Sequence, residues 1–306
     1  MRVATPLLLL PLLLVACGGS DGPPAREFDG AAALASVVTQ VGFGPRIPGT
    51  PGHAAMAKWL DSLVRTKADS VVVQRWWHHP AGGGDSLELT NIIARVNPAA
   101  TARVLYLAHW DTRPHADGPS STDKLAPVPG ANDGGSGVAI LLGVLDALRK
   151  QPPTVGVDIL FVDGEDFGSF DPPQADVLLG AKYYARHPVS DERPLFAVLW
   201  DMVGDKDLRI PREPGSQIAA PDVVDMVWQV ASRMGYGHIF VDASYGGPIT
   251  DDHTPLIEAG FRAIDVIDID YASWHTRDDT PDKLSAASLE AVGNVAVGVI
   301  RKATPK

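Results

Sequence analysis

Four short apolar runs, rich in β-branched residues, recur along the 306-residue chain and constrain its fold more than any other feature. Each run is bounded by turn residues or by charge, as expected of strands buried in a sheet. Between them lie segments whose apolar residues are three and four apart, which is typical of amphipathic helices. The runs are ARVLYLAH (102–109), VDILFVDG (157–164), LFAVLWD (195–201) and FRAIDVID (261–268), and the helical segments are 136–150, 221–235 and 285–302.

This alternation predicts an α/β fold, a three-layer sandwich whose mixed, mainly parallel central sheet is flanked by helices, of the phosphorylase/hydrolase-like kind. Two earlier segments, 70–80 and 86–96, predict an antiparallel pair at the sheet edge. We assign the aromatic and histidine residues at 76–79 to packing of that edge strand. Composition does not change within 29–306, so this range is predicted to be a single catalytic domain.

The N-terminus reads MRVATPLLLLPLLLVACGGS, with an apolar run too short to span a bilayer stably. The run ends at Cys17, the only cysteine of the chain, and resembles a bacterial lipoprotein signal. That resemblance implies a signal peptide (1–16), a lipidated Cys17 and a flexible tether (17–28). We therefore expect an exported cell-envelope lipoprotein, anchored to a membrane through Cys17 on the periplasmic face or cell surface. The alternative is a plain secretory signal.

Net charge limits the possible partners. The formal net charge is −11, which disfavours attraction to nucleic acid. Hydrophobic content of 45% and charged content of 21% are ordinary for a folded enzyme. We expect a monomer with no nucleic-acid partner.

Polar residues of metal-binding types follow the predicted strands. In open α/β sheets, sites collect at the carboxyl ends of the strands. The residues at these ends are His109, the pair Glu165 and Asp166, Asp201 and, after a loop, His275; Asp133 lies in the glycine-rich turn GANDGGSG (130–137). The sequence therefore predicts a polar site along one edge of the sheet.

Asp133, Asp166 and His275 match the donor set of a catalytic zinc, because two carboxylates and a neutral imidazole balance the charge of the ion. Glu165 would then face the substrate as a general acid or base. Two alternatives for the pair at 165–166 are a solvated strand end and a phosphate-binding strand. The second requires a glycine-rich loop with Gly-Lys-Ser/Thr, which the sequence lacks.

Other polar groups near these motifs remain ambiguous in sequence. His109 could be a further ligand, with Asp111 orienting its ring, or a hydrogen-bonded histidine at a strand end. Asp278 and Asp279 could accept hydrogen bonds from His275. The triplet Asp-Asp-His at 251–253 is ordinarily a polar loop or a helix cap.

Taken together, these motifs resemble the zinc-dependent exopeptidase superfamily, which contains two-zinc aminopeptidases and glutaminyl cyclases. The resemblance covers nearly all of the chain after the tether and is stronger to the bacterial, animal-type cyclases. It is carried by FGPRIPGTPGH (43–53), HWDTRP (109–114), GANDGGSGVAILL (130–142), ILFVDGEDFG (159–168), LLGAKYYA (178–185), LWDMVGD (199–205), TDDHTPLIEAG (250–260) and WHTRDDT (274–280).

The resemblance implies a role for each matching residue. Asp133, Asp166 and His275 would hold a single zinc, and Glu165 would shuttle protons. Asp201 and Asp251 would complete an acidic network around the substrate amine, with Trp274 and Tyr271 as pocket aromatics.

The implied activity is conversion of the N-terminal glutamine of peptides and proteins to pyroglutamate, with release of ammonia. The alternative is an aminopeptidase with two zincs held by His109, Asp133, Asp166, Asp201 and His275. Aspartate at 251 and tryptophan at 274 argue against it, because the peptidases usually have serine and tyrosine there. A third alternative is a binding lipoprotein without catalysis.

Overall fold

The computed structural model describes residues 25–190 and 192–304. Its strands are β1 (Ser70–His78), β2 (Leu87–Val96), β3 (Arg103–His109), β4 (Gly156–Val162), β5 (Ala197–Asp201), β6 (Ile210–Arg212), β7 (Phe240–Ser244) and β8 (Ala263–Ile267). Six of them form the central sheet in the order β1-β2-β4-β3-β5-β8, while β6 and β7 form a small second sheet. β2 is antiparallel to β1 and β4, and the remaining pairs of the central sheet are parallel.

Helices cover both faces of this sheet. They are α1 (Gly30–Val41), α2 (Pro51–Arg65), α3 (Gly135–Lys150), α4 (Leu179–Arg186), α5 (Pro214–Ala219), α6 (Pro221–Arg233), α7 (His253–Glu258) and α8 (Ala286–Lys302). Alternate residues of β3 show the two layers, because Tyr106 belongs to the large core with α1, α3, α6 and α8. Leu105 and Leu107 face the smaller core with Tyr184 of α4 and Leu256 of α7. This is the alternation of a strand buried on both faces.

The structure confirms the predicted three-layer α/β fold. The four predicted strands and three predicted helices are present, with ends that differ from the prediction by at most two residues. The antiparallel edge pair is also confirmed. The predicted packing of the edge-strand aromatics is confirmed for Trp76, whose ring centroid lies 4.2 Å from that of Tyr183. It is wrong for Trp77, which is 64% exposed.

The predicted signal peptide and Cys17 lie outside the described residues, and lipidation stays a prediction. The prediction that the tether extends to residue 28 is wrong. The backbone N–H groups of Glu27 and Phe28 both donate to the Asn294 side chain. The Phe28 ring is buried in the space that the missing side chains of Gly143 and Gly293 leave. Within the described ranges, no helix combines the length and apolar character needed to cross a bilayer.

Close packing of α3 on β5 yields a test of the fold. A Cβ at Gly137 would lie 2.1 Å from the backbone oxygen of Trp200 and 2.8 Å from Ala108 Cβ. Since that carbonyl cannot move without shifting β5, we expect Gly137→Ala to lower the free energy of unfolding by about 1–3 kcal/mol. Urea unfolding of the metal-free protein measures it. Gly237→Ala is the matched control, with no described atom within 4 Å of its Cβ. Equal effects of the two substitutions would contradict this packing.

Candidate metal centre

Neighbouring strands deliver the predicted site residues to one edge of the sheet. His109 and Asp201 are the last residues of β3 and β5, which are parallel neighbours. β4 lies on the other side of β3, and Glu165 and Asp166 follow it after a turn at Gly164. Gly164 has a φ of 71°, a conformation that residues with side chains rarely adopt. The glycine thus lets the chain turn directly from a buried strand into two acidic residues.

Asp133, Asp166 and His275 converge on a common point. Their ligand atoms all lie within 4.8 Å of one another. His275 Nε2 is 3.6 Å from Asp133 Oδ2 and 3.5 Å from Asp166 Oδ1, beyond ordinary hydrogen-bond length. Ligands at zinc-bond length around a tetrahedral ion are roughly 3.3–3.6 Å from each other. Asp133 Oδ2 and Asp166 Oδ2 are also buried, without a hydrogen-bond partner among the described residues. These residues therefore fit a zinc ion.

A second set of possible ligands shares Asp133 with the first. His109, Asp133 and Asp201 also have ligand atoms within 4.8 Å of one another. Here His109 Nε2 forms a 3.2 Å hydrogen bond with Asp201 Oδ1 and lies 3.1 Å from Asp133 Oδ1. Although burial lowers the pKa of His109, Glu165 and Asp201 raise it well above the usual value. The ring is thus held between two carboxylates, as a hydrogen-bonded strand-end histidine would be.

Buried carboxylates outnumber buried bases at this edge. Burial raises the pKa of Glu165 well above its usual range, and Asp166 and Asp251 raise it further against the effect of His109. Burial also raises the pKa of Asp166 to about 7 and that of Asp252 to about 8. Anions crowded in a dry site are costly unless protons or a cation compensate them. The electrostatics therefore favour a bound cation.

Asp111 does not have the predicted role of orienting His109. Its Oδ1 is 3.7 Å from His109 Nδ1, which is longer than a hydrogen bond. Both carboxylate oxygens instead accept backbone N–H groups, from Glu165 at 3.0 Å and from Asp166 at 3.1 Å. Asp111 therefore fixes the backbone of the acidic pair, because the turn after β4 points these N–H groups at it.

The two predicted hydrogen-bond partners of His275 are likewise wrong, and the first of them, Asp278, is exposed. Asp279 accepts the backbone N–H groups of Asn132 and Asp133 and the hydroxyl of Tyr271. The group close to His275 Nδ1 is Asp117 Oδ1, at 3.2 Å. Sequence reasoning missed Asp117, and its only local signal is an arginine four residues earlier in the loop after β3.

The metal centre opens into a cavity of about 610 Å³. Glu165, Asp201 and Asp251 line it together with Trp274, as predicted for a substrate site. Tyr271 does not line it, because its hydroxyl is engaged by Asp279 and its ring packs with Met202 and Ile267. A cavity of about 650 Å³ lies beside α1 and α3, away from the strand ends.

The Asp-Asp-His triplet at 251–253 is neither of the two predicted features, a polar loop or a helix cap made by a side chain. Asp251, Asp252 and His253 are all buried. Asp252 precedes the first residue of α7, yet its side chain makes no capping hydrogen bond. Asp251 instead adds a carboxylate to the wall of the cavity.

An α/β sandwich with a carboxylate–histidine centre at its strand ends is an arrangement suited to a metal-dependent enzyme. The profile described as peptidase family M28 matches residues 91–300. The chain belongs to this family, and zinc is the metal that membership implies.

Proteins similar to this chain carry the names of both cyclases and aminopeptidases. Glutaminyl cyclase from Porphyromonas gingivalis is 37% identical, with a TM-score of 0.84 over 90% of this chain and 98% of that one. A leucine aminopeptidase precursor from Bacteroides thetaiotaomicron is 35% identical, with a TM-score of 0.87 over 92% of this chain and 100% of that one. Glutaminyl-peptide cyclotransferase from Bos taurus is 26% identical over 284 residues, covering 82% of this chain and 76% of that protein.

Removal of one ligand tests the metal centre. Loss of a residue that hydrogen-bonds to a metal ligand typically weakens metal binding by roughly 10–100-fold. Asp166→Ala removes a direct ligand, so we expect it to weaken zinc binding by more than this. Competition with a chromophoric chelator measures the affinity. Asp171→Ala, an exposed carboxylate on the same cavity, is the control and should bind zinc as the unaltered protein does. Unchanged affinity in Asp166→Ala would exclude Asp166 as a ligand.

Proposed function

We propose that the protein is a glutaminyl-peptide cyclotransferase that uses one zinc ion. The observation that supports this most directly is the difference between the two sets of possible ligands. The separations of 3.5 and 3.6 Å around His275 suit an ion. The separations of 3.1 and 3.2 Å around His109 suit a shared proton. One metal position is therefore favoured over two.

The reaction closes the N-terminal glutamine on itself. The α-amine nitrogen forms a bond to the side-chain carboxamide carbon, the bond from that carbon to nitrogen breaks, and ammonia leaves. Nucleophile and electrophile belong to one residue, so the enzyme needs to supply orientation, polarisation and proton transfer. Well-oriented intramolecular attack already corresponds to effective molarities of about 10⁵–10⁸ M.

Glu165 is the residue that moves protons. Its carboxylate lines the cavity next to the proposed metal position, and Asp111 fixes its backbone. Glu165 accepts a proton from the α-amine and returns it to the departing nitrogen, so it ends in its starting state. Asp201 and Asp251 hold the amine in place, and Trp274 shields the side chain from water. When bound, zinc supplies Lewis-acid polarisation of the carboxamide.

An aminopeptidase remains the second candidate, because His109, Asp133 and Asp201 could hold a further ion. In that function Glu165 would activate water, and peptide hydrolysis would replace cyclisation. Similarity to the leucine aminopeptidase precursor favours this candidate, whereas the hydrogen-bonded state of His109 disfavours it.

Product mass separates the two candidates. We expect a peptide that begins with glutamine to lose the mass of ammonia and keep all of its residues. Release of free amino acids would instead establish the peptidase. A peptide with N-terminal leucine is the control substrate and should remain unchanged. Metal analysis of the same preparation should give one zinc per chain.

Substitution of Glu165 separates proton transfer from metal binding. We expect Glu165→Gln to lower kcat by about 10²–10⁴-fold, because the amide cannot accept the proton. Its zinc content should not change, since Glu165 is outside the proposed ligand set. Glu88→Gln, on an exposed position of β2, is the matched control. Loss of zinc in Glu165→Gln would mean that Glu165 and Asp166 have exchanged roles.

A further inference from the structure

A continuous set of ion pairs links two members of the proposed zinc triad through the loop after β3. Arg113 Nη1 donates to Asp166 Oδ1 at 2.6 Å. The same guanidinium donates to Asp117 through Nε at 2.7 Å and Nη2 at 2.6 Å. Asp117 Oδ1 in turn lies 3.2 Å from His275 Nδ1. Asp166 and His275 are thus joined by two residues that are outside the proposed set of ligands.

The backbone of the same loop also holds His275. The N–H of Gly118 donates to the carbonyl of His275 at 3.0 Å. The approach is so close that a Cβ at Gly118 would lie 2.3 Å from the carbonyl oxygen of Trp274. His275 has a φ of 52°, a left-handed conformation that is unusual for a residue with a side chain. Contacts from 113–118 therefore hold both the ring and the backbone of this residue.

These contacts determine which atoms face the metal position. A carboxylate next to Nδ1 favours the tautomer with its proton on that nitrogen, which leaves the Nε2 lone pair directed at Asp133 and Asp166. Arg113 donates to Asp166 Oδ1, the oxygen that lies 3.5 Å from His275 Nε2, and so fixes the orientation of the carboxylate, while Oδ2 has no partner among the described residues. A planar guanidinium is suited to this task, because it presents several donors in a rigid arrangement.

We propose that Arg113 and Asp117 are positioning residues that hold His275 and Asp166 in the geometry that binds zinc, an inference that rests on the zinc site of the proposed function. The competing explanation is a surface ion pair that only stabilises the loop. Side-chain exposure of Asp117 is 43%, so such a role is physically reasonable. The two explanations differ in whether zinc affinity depends on the pair in a folded protein.

Asp117→Asn tests the inference, because asparagine keeps the size of the side chain but cannot accept both hydrogen bonds from Arg113. We expect its zinc affinity, from chelator competition, to fall by about 10–100-fold. We also expect the visible absorption spectrum of the Co²⁺-substituted protein to change, since that spectrum reports ligand geometry. Asp123→Asn is the matched control. It removes the same charge from the same loop, where Asp123 faces Arg277 at 3.9 Å and is exposed.

Thermal unfolding of the metal-free variants shows whether each variant keeps the fold. Arg113→Lys is a second variant, which keeps the positive charge at this position. Lysine cannot reproduce the planar set of donors, so its zinc affinity should fall as well. The inference would be overturned if both variants kept the zinc affinity and the cobalt spectrum of the unaltered protein. Loss of affinity in a protein that hydrolyses peptides would support the inference and overturn the cyclase. Failure of the unaltered protein to bind zinc would overturn both.

Discussion

The rest of the structure depends on the compensation of negative charge at the carboxyl edge of the central sheet. Asp133, Glu165, Asp166, Asp201 and Asp251 are all buried there. Removing water from such a group of carboxylates is unfavourable unless positive charge is close. Arg113 and His109 lie close enough to supply part of it, and a divalent cation held by Asp133, Asp166 and His275 would supply the rest. Zinc binding and the stability of this edge are therefore linked, since the ion compensates a cost that the fold itself creates.

Much of this arrangement could be predicted because it follows from strong local patterns. A strand buried on both faces is largely apolar, so 157–162 is recognisable although it contains Asp158, and the polar residues after Val162 mark where it ends. Parallel neighbours end at the same edge, which brings the residues after β4 close to those after β3 and β5. Asp133 could be placed because a glycine-rich turn leads directly into α3.

The errors concern side chains whose partners depend on the paths of loops. Asp111 and Asp279 were expected to contact histidines, yet both accept backbone N–H groups, because turns present such groups to any nearby carboxylate. Asp117 could not be identified as the partner of His275, since the two belong to loops that meet only in the folded chain. The prediction that places Phe28 in a tether fails for the same reason. Its burial depends on glycines at 143 and 293, and nothing in the sequence near Phe28 indicates them.

All five possible ligands of a two-zinc centre are present in the sequence, so their identity alone cannot determine how many ions bind. What distinguishes the two sets of ligands is spacing. Asp133 directs Oδ1 at His109 and Oδ2 at His275, at 3.1 and 3.6 Å. The spacing at His109 is restrained by packing, because a Cβ at Gly134 would lie only 3.0 Å from Cε1 of that ring. The His109 ring therefore lies close to the backbone that leads into α3, which limits how far it can shift in that direction. The proposal of a single metal ion therefore rests on the spacing of these ligands and on the backbone packed behind them.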